Sequence, residues 1–264
     1  MSAPTGAAPE CCIPGASGGA AATGASELSG VSSSETVIGG VPCFRASLSG
    51  SGGGGGRRAI IIVTDIFGYE AEAARLNAVR AAARGAGALD VFIPKLCTPV
   101  RADFQMSELP AWFAAHPDEG VQAALAAVSA ALRADGYGKM LAIGYCWGAR
   151  GAQQATSGAA PLFDALAVAH PTRTGGAAEY LAARVPTLLL LAETDVAFPP
   201  ETAAAVAEAL RARAAAEPAL KFAQLGPFAG TVHGFAARGD EADVVVGAAR
   251  RAANDGAVDF LLAL

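Results

Sequence analysis

The sequence predicts an α/β fold, with a mostly parallel central sheet and helices on both faces. Three observations lead to it. Short apolar runs rich in Val, Ile and Leu alternate along the body of the chain with longer segments rich in Ala, Glu and Arg. Those apolar runs are continuous rather than alternating, the pattern of strands buried on both faces. Hydrophobic residues make up 53% of the 264 residues, enough to build a sizeable core. Strands that alternate with helices imply a mostly parallel sheet.

Taken in order, residues 1–34 are rich in Gly, Ala and Ser and lack periodicity. They read as a flexible N-terminal segment, with the Cys11-Cys12 pair as a candidate for docking on the body. Residues 36–48 read as two short strands joined at Gly39-Gly40. Residues 49–56 are glycine-rich, but no Gly-Lys-Ser/Thr follows, so they read as a hairpin loop rather than a phosphate loop. Residues 59–64 form a β-branched run, hence a buried strand, and residues 70–84 a helix. Val91-Phe92-Ile93 is a short strand stopped by Pro94. Residues 120–133 form an amphipathic helix, and residues 140–144 a strand. Residues 165–169 and the Leu-rich 187–192 are further strands. Residues 200–215 read as a helix, 221–225 as a strand, and 241–262 as a closing helix. The organisation is therefore a segment 1–34 followed by one domain over 35–264.

The bulk numbers exclude several function classes. A net charge of -5 opposes binding to nucleic acid or to an anionic membrane surface. No run of about 18 apolar residues spans a bilayer. The first 34 residues carry no Arg or Lys, which fits neither a secretory signal nor a transit peptide. Five cysteines without a regular framework suggest a reducing compartment. The expectation is a cytoplasmic protein, monomeric or a weak homodimer, with a small-molecule partner.

In open parallel sheets the site lies at the carboxyl ends of the strands. Gly144-Tyr145-Cys146-Trp147-Gly148 stands there, between a strand and a helix-permissive segment. This is the Gly-x-nucleophile-x-Gly turn, with cysteine in the nucleophile position. Asp195 follows the Leu-rich strand, and Glu193 is a competing carboxylate two residues earlier. His233 follows the strand at residues 221–225. The order nucleophile, acid, histidine is that of α/β-hydrolases. The residue types explain the set, since a free thiol is mostly protonated at neutral pH. A histidine within reach takes the proton, and a carboxylate holds the ring. The start of the following helix favours the thiolate. His170 also follows a strand but falls between nucleophile and acid, so it reads as a pocket-lining residue. His116 reads as solvated in a polar loop. Neither sits among further ligands at metal-binding spacing, so no metal and no cofactor is expected.

Four stretches together resemble the dienelactone hydrolase family of α/β-hydrolases. They are Thr64-Asp65-Ile66-Phe67-Gly68, the elbow Gly144 to Ala149, Ala169-His170-Pro171, and Val232-His233-Gly234-Phe235 with Arg238 close behind. The Cys-Trp-Gly-Ala elbow and Cys11-Cys12 look like eukaryotic members. The resemblance implies a Cys146-Asp195-His233 triad and an oxyanion hole from the Trp147 and Ile66 amides. It implies that Asp65 helps to deprotonate the thiol, although bacterial members carry the longer glutamate there. It also places Arg238 near a carboxylate-binding arginine, with Phe67, His170 and Trp112 at the substrate. Residues 106–118 form the rim, with Phe104, Trp112 and Phe113 as walls and Arg101 as a second anion-binding candidate. The Ile93-Pro94-Lys95 stretch departs from the family's Pro-Asp. The implied activity is that of a carboxymethylenebutenolidase-like hydrolase acting on a lactone or activated ester. A broader carboxylesterase or thioesterase, and a non-catalytic redox or binding member, are the alternatives.

Overall fold

Strand residues Ala59, Ile60, Ile61, Ile62 and Val63 are at most 1% exposed, although successive side chains point to opposite faces. Both faces must therefore be covered, and they are. Ala59, Ile61 and Val63 join one apolar cluster, while Ile60 and Ile62 join another. Met140 and Ala142 divide from Leu141 and Ile143 in the same way. The computed structural model describes residues 28–48 and 56–264. The segment holding Cys11-Cys12 and the glycine-rich stretch 49–55 lie outside the described residues.

The strands are β1 (Val31–Ile38), β2 (Val41–Leu48), β3 (Arg57–Val63), β4 (Leu89–Pro94), β5 (Tyr137–Tyr145), β6 (Ala165–Ala169), β7 (Thr187–Thr194) and β8 (Phe222–Val232). Among the described residues they form one sheet in the order β1-β2-β4-β3-β5-β6-β7-β8. The β1–β2 and β2–β4 pairs are antiparallel, and the pairs from β4 to β8 are parallel. The mostly parallel sheet expected from the sequence is thus present, with an antiparallel hairpin at one edge.

The helices are α1 (Glu72–Arg84), α2 (Leu109–Ala115), α3 (Asp118–Ala134), α4 (Trp147–Ala155), α5 (Ala177–Leu181), α6 (Pro200–Ala216), α7 (Phe235–Arg238) and α8 (Val244–Leu262). Helix α3 buries Val121, Leu125, Val128 and Leu132, a stripe at helical spacing. It packs with α4 and α6 on the first face. Helices α1 and α8 cover the second face through Ala78, Ala81 and Ala82 and through Ala253, Ala257 and Leu261. The small side chains allow these helices to approach the sheet closely.

Three boundaries differ from expectation. Strand β1 begins at Val31, inside the segment read as flexible. Its Ser-Ser-Ser-Glu run is paired along the sheet edge while most of its side chains face outward. Strand β8 runs on to Val232, past Gly226-Pro227, with register shifts in its pairing to β7. That extension carries the chain to His233. Helix α8 starts at Val244, where the Asp243 carboxylate accepts from the Val245 and Val246 amides.

Candidate active site

Cys146 stands between β5 and α4 with φ 51° and ψ -116°, a conformation that costs about 1–3 kcal/mol outside glycine. The surrounding contacts hold it there. Its amide donates to the Ala169 carbonyl at 3.1 Å, and its own carbonyl accepts from Ala149 and Thr172. The flanking glycines are required by space. A Cβ on Gly148 would lie 2.2 Å from the Val63 carbonyl oxygen, and one on Gly144 would lie 2.6 Å from Ala149 Cα. The contact at Gly148 would force β3 and α4 apart.

The strand ends bring three predicted residues together. Cys146 Sγ lies 3.1 Å from His233 Nε2. His233 Nδ1 lies 2.9 and 3.0 Å from the two Asp195 oxygens. Asp195 follows β7, and its Oδ1 also accepts from the Ala197 and Phe198 amides at 2.8 and 3.0 Å. The carboxylate therefore anchors its own turn as well as the imidazole. Glu193, the competing acid, is exposed and accepts from the Gly230 amide instead. Burial alone would lower the His233 pKa. The charge interaction with Cys146 and the hydrogen bonding of Nδ1 to the Asp195 carboxylate outweigh it, and the ring is held well above the usual histidine range. All three groups are buried, so these charges are weakly screened.

The dienelactone hydrolase family model matches residues 44–263. The chain belongs to the dienelactone hydrolase family. Among solved structures, a putative dienelactone hydrolase from Klebsiella pneumoniae is 19% identical with a TM-score of 0.68, covering 89% of this chain and 99% of that one. A dienelactone hydrolase-like promiscuous phosphotriesterase from metagenomic libraries is 19% identical at a TM-score of 0.62, over 89% and 99% of the two chains. A thermostable esterase from Pseudomonas putida is 14% identical at 0.57, over 89% and 84%. These likenesses show the fold, and no curated protein matches the chain.

The other site residues expected from the family fall into place unevenly. Ile66 lies in the turn after β3, closed by the Gly68 amide donating to the Asp65 carbonyl. Trp147 opens α4, where the first helical amides have no acceptor within the helix. The Trp147 amide belongs to the elbow itself. Asp65 does not bond the thiol. Its Oδ1 accepts from the Phe67 amide and its Oδ2 from Arg238 Nε at 2.7 Å. The Arg238 guanidinium lies 3.8 Å above the Phe67 ring. Helix α7 delivers this arginine directly from His233 by way of Gly234, whose φ of 90° suits glycine.

His170, expected at the substrate, is fully buried beside the histidine of the triad. It is 0% exposed, with its ring centroid 5.1 Å from that of His233. Burial, with the positive charges of His233 and Arg238 nearby, pushes its pKa well below the usual histidine range. His116 is also placed differently, stacked on Trp112 at 4.1 Å rather than free in solvent. Trp112 is half-buried at the rim, edge-on to Trp147 at 5.1 Å. Arg101 pairs with Asp103 and Glu108 at the surface. A separate groove of about 420 Å³ runs beside β7 and α6. It is lined by Asp195 but by neither Cys146 nor His233.

Sequence reading missed the frame behind the histidine. Asn77 Nδ2 donates to the Ala236 and Ala237 carbonyls of α7. Arg250 in turn donates to Asn77 Oδ1 at 2.9 Å and pairs with Glu241. Glu241 also takes a bidentate pair from Arg80. Buried polar residues inside helices that are otherwise Ala-rich were the available signal. Among the described residues, no group of three or more His, Cys, Asp or Glu is placed to hold a metal ion, and no helix is long and apolar enough to cross a membrane.

Proposed function

We propose that this member of the family is a cysteine-dependent ester or lactone hydrolase. One observation carries the reading: the 3.1 Å contact from Cys146 Sγ to His233 Nε2, with His233 Nδ1 on Asp195. His233 takes the thiol proton, and the resulting thiolate attacks the carbonyl carbon. The developing oxyanion is met by the Trp147 and Ile66 amides, donors that each contribute on the order of 3 kcal/mol. The carbon–oxygen bond then breaks, leaving a cysteinyl acyl-enzyme. An enolate leaving group needs little protonation, which suits a thiolate with a small acidic enol-lactone such as dienelactone. His233 passes the proton it took to the departing oxygen or to solvent and, neutral again, deprotonates a water. The attack of that water on the thioester carbonyl breaks the carbon–sulfur bond, releases the acid and lets the Cys146 sulfur recover a proton from His233.

The Asp65–Arg238 pair bears on activation. With Asp65 held on Arg238, His233 is the base at the thiol. A substrate carboxylate that draws Arg238 away would free Asp65, one methylene shorter than the bacterial glutamate. The protein acts on a small-molecule substrate in the cytoplasm as a monomer or weak homodimer, with no cofactor.

The broader carboxylesterase or thioesterase reading draws on the named activities of an esterase and a phosphotriesterase on the same fold. The redox alternative is weakened by Cys43 and Cys97. Burial pushes both thiols up to about 12, and resolving a sulfenic acid requires a thiolate. Kinetics on dienelactone, p-nitrophenyl acetate and a neutral thioester test the proposal. Cys146→Ala should lower kcat/KM by about 10⁴-fold or more on every accepted substrate. Unchanged turnover would exclude the cysteine mechanism. A preference for neutral esters over the acidic lactone would favour the broader reading.

A further inference from the structure

His116 closes α2 and is bonded at both ring nitrogens. The Thr98 amide donates to its Nε2 at 3.0 Å, and its Nδ1 faces the Trp112 carbonyl at 2.8 Å. A backbone amide can only donate and a carbonyl can only accept. The ring must therefore be neutral, with its single proton on Nδ1. Trp112 Nε1 donates to the Thr98 carbonyl at 3.0 Å, so one loop residue is gripped twice by α2.

This clasp touches both walls of the reacting centre. On one side Trp112 stacks on His116 and meets Trp147 edge-on, next to the nucleophile. On the other side the Thr98 loop is tied to the turn after β3. The Val100 amide donates to the Ile66 carbonyl at 3.0 Å, and Pro99 lies where a Cβ on Gly68 would fall. Several charged groups on the adjoining segments are paired with one another. Asp118, at the start of α3, pairs with Arg150 and Arg173, and Arg173 also lies over Phe113. Lys95 pairs with Glu70, and Arg101 with Asp103 and Glu108.

We propose that His116 is a positioning residue, an acid-released clasp that holds the Trp112 wall of the substrate pocket while its ring is neutral. A second proton on Nε2 would point at the Thr98 N–H, replacing a hydrogen bond with two opposed donors. The rim helix then loosens, and substrate binding weakens more than the chemical step. For its kinetic consequence this rests on the ester-hydrolase reading; the clasp itself does not.

Intrinsic fluorescence gives a readout free of that reading, because Trp112 and Trp147 are the chain's two tryptophans. Emission is followed as the pH is lowered from about 8 to about 5. The wild type should show a reversible transition that His116→Gln abolishes, since a glutamine oxygen accepts from Thr98 at every pH in the range. In parallel, the wild-type KM for p-nitrophenyl acetate should rise about fivefold on acidification, the fold-change of one ordinary hydrogen bond. The KM of H116Q should stay flat. His116→Ala should show the raised KM at every pH. A transition of unchanged amplitude in H116Q, or a wild-type emission that does not vary with pH, overturns the clasp. A transition lost in H116Q in a protein that hydrolyses no ester leaves the clasp standing and removes the ester-hydrolase reading instead.

Discussion

Replacing Asp195 with asparagine removes one charge from the site and almost nothing from its shape. The side-chain oxygen of the variant can still accept from the Ala197 and Phe198 amides, as Asp195 Oδ1 does at 2.8 and 3.0 Å. Its amide nitrogen replaces Oδ2, 3.0 Å from His233 Nδ1, and competes there with the retained oxygen at 2.9 Å. Where the amide nitrogen donates, the imidazole carries its proton on Nε2, pointing at the thiol it should deprotonate. The imidazolium formed during reaction also loses its counter-charge. Two unit charges about 4 Å apart interact by about 4 kcal/mol at an effective dielectric of 20, or about 10³-fold in rate. The expected result is a fall of about 10³ in kcat/KM on p-nitrophenyl acetate, with a melting temperature within a few degrees of wild type. Asp195→Ala should in addition lose stability, because it leaves the buried Phe198 amide and the part-buried Ala197 amide without this acceptor. A fall of less than tenfold in folded D195N would refute the assignment of Asp195 as the group that orients His233.

Gly148→Ala should cost about 3 kcal/mol or more in urea unfolding, because its Cβ would meet backbone oxygens of Val63 and Thr64 at 2.2 and 2.4 Å. A change below about 1 kcal/mol would show that β3 and α4 have room to part. Glu241→Gln tests the frame behind His233. The Arg80 hydrogen bonds hold the Glu241 carboxyl below its usual range, against its burial, with Arg250 and Arg251 adding to the effect. A depressed folded pKa means stability that is full above about pH 4.3 and lost as pH falls through the folded value. The variant should therefore be less stable than wild type by about 3–5 kcal/mol at pH 7, with the gap closing in acid. A gap that stays constant from pH 7 to well below pH 4 would contradict the ion-pair account.

Much of the fold was legible because parallel strands buried on both faces are written as unbroken apolar runs. Residues 165–169 and the four leucines of β7 have few other readings. The ends were harder. Strand β1 starts in serines whose pairing along the edge leaves no apolar alternation. Strand β8 crosses Gly226-Pro227 and Gly230, residues that ordinarily mark a turn. Cys146, Asp195 and His233 were legible by their place after strands and by chain order. The same place singled out His170, whose full burial against the His233 ring no strand-end pattern encodes. Asp65 on Arg238, and Thr98 on His116, join residues remote in sequence through contacts that no local pattern encodes.

The most direct test of the central claim is to trap the acyl-enzyme. The protein is mixed with p-nitrophenyl acetate, quenched in acid within one turnover, digested and analysed by mass spectrometry. The account predicts a single acetyl group on the peptide containing Cys146, absent when Cys146 is replaced by Ala. It also predicts that the adduct forms more slowly in D195N. Full turnover with no adduct at Cys146, or with acetyl on another residue that C146A retains, would contradict it.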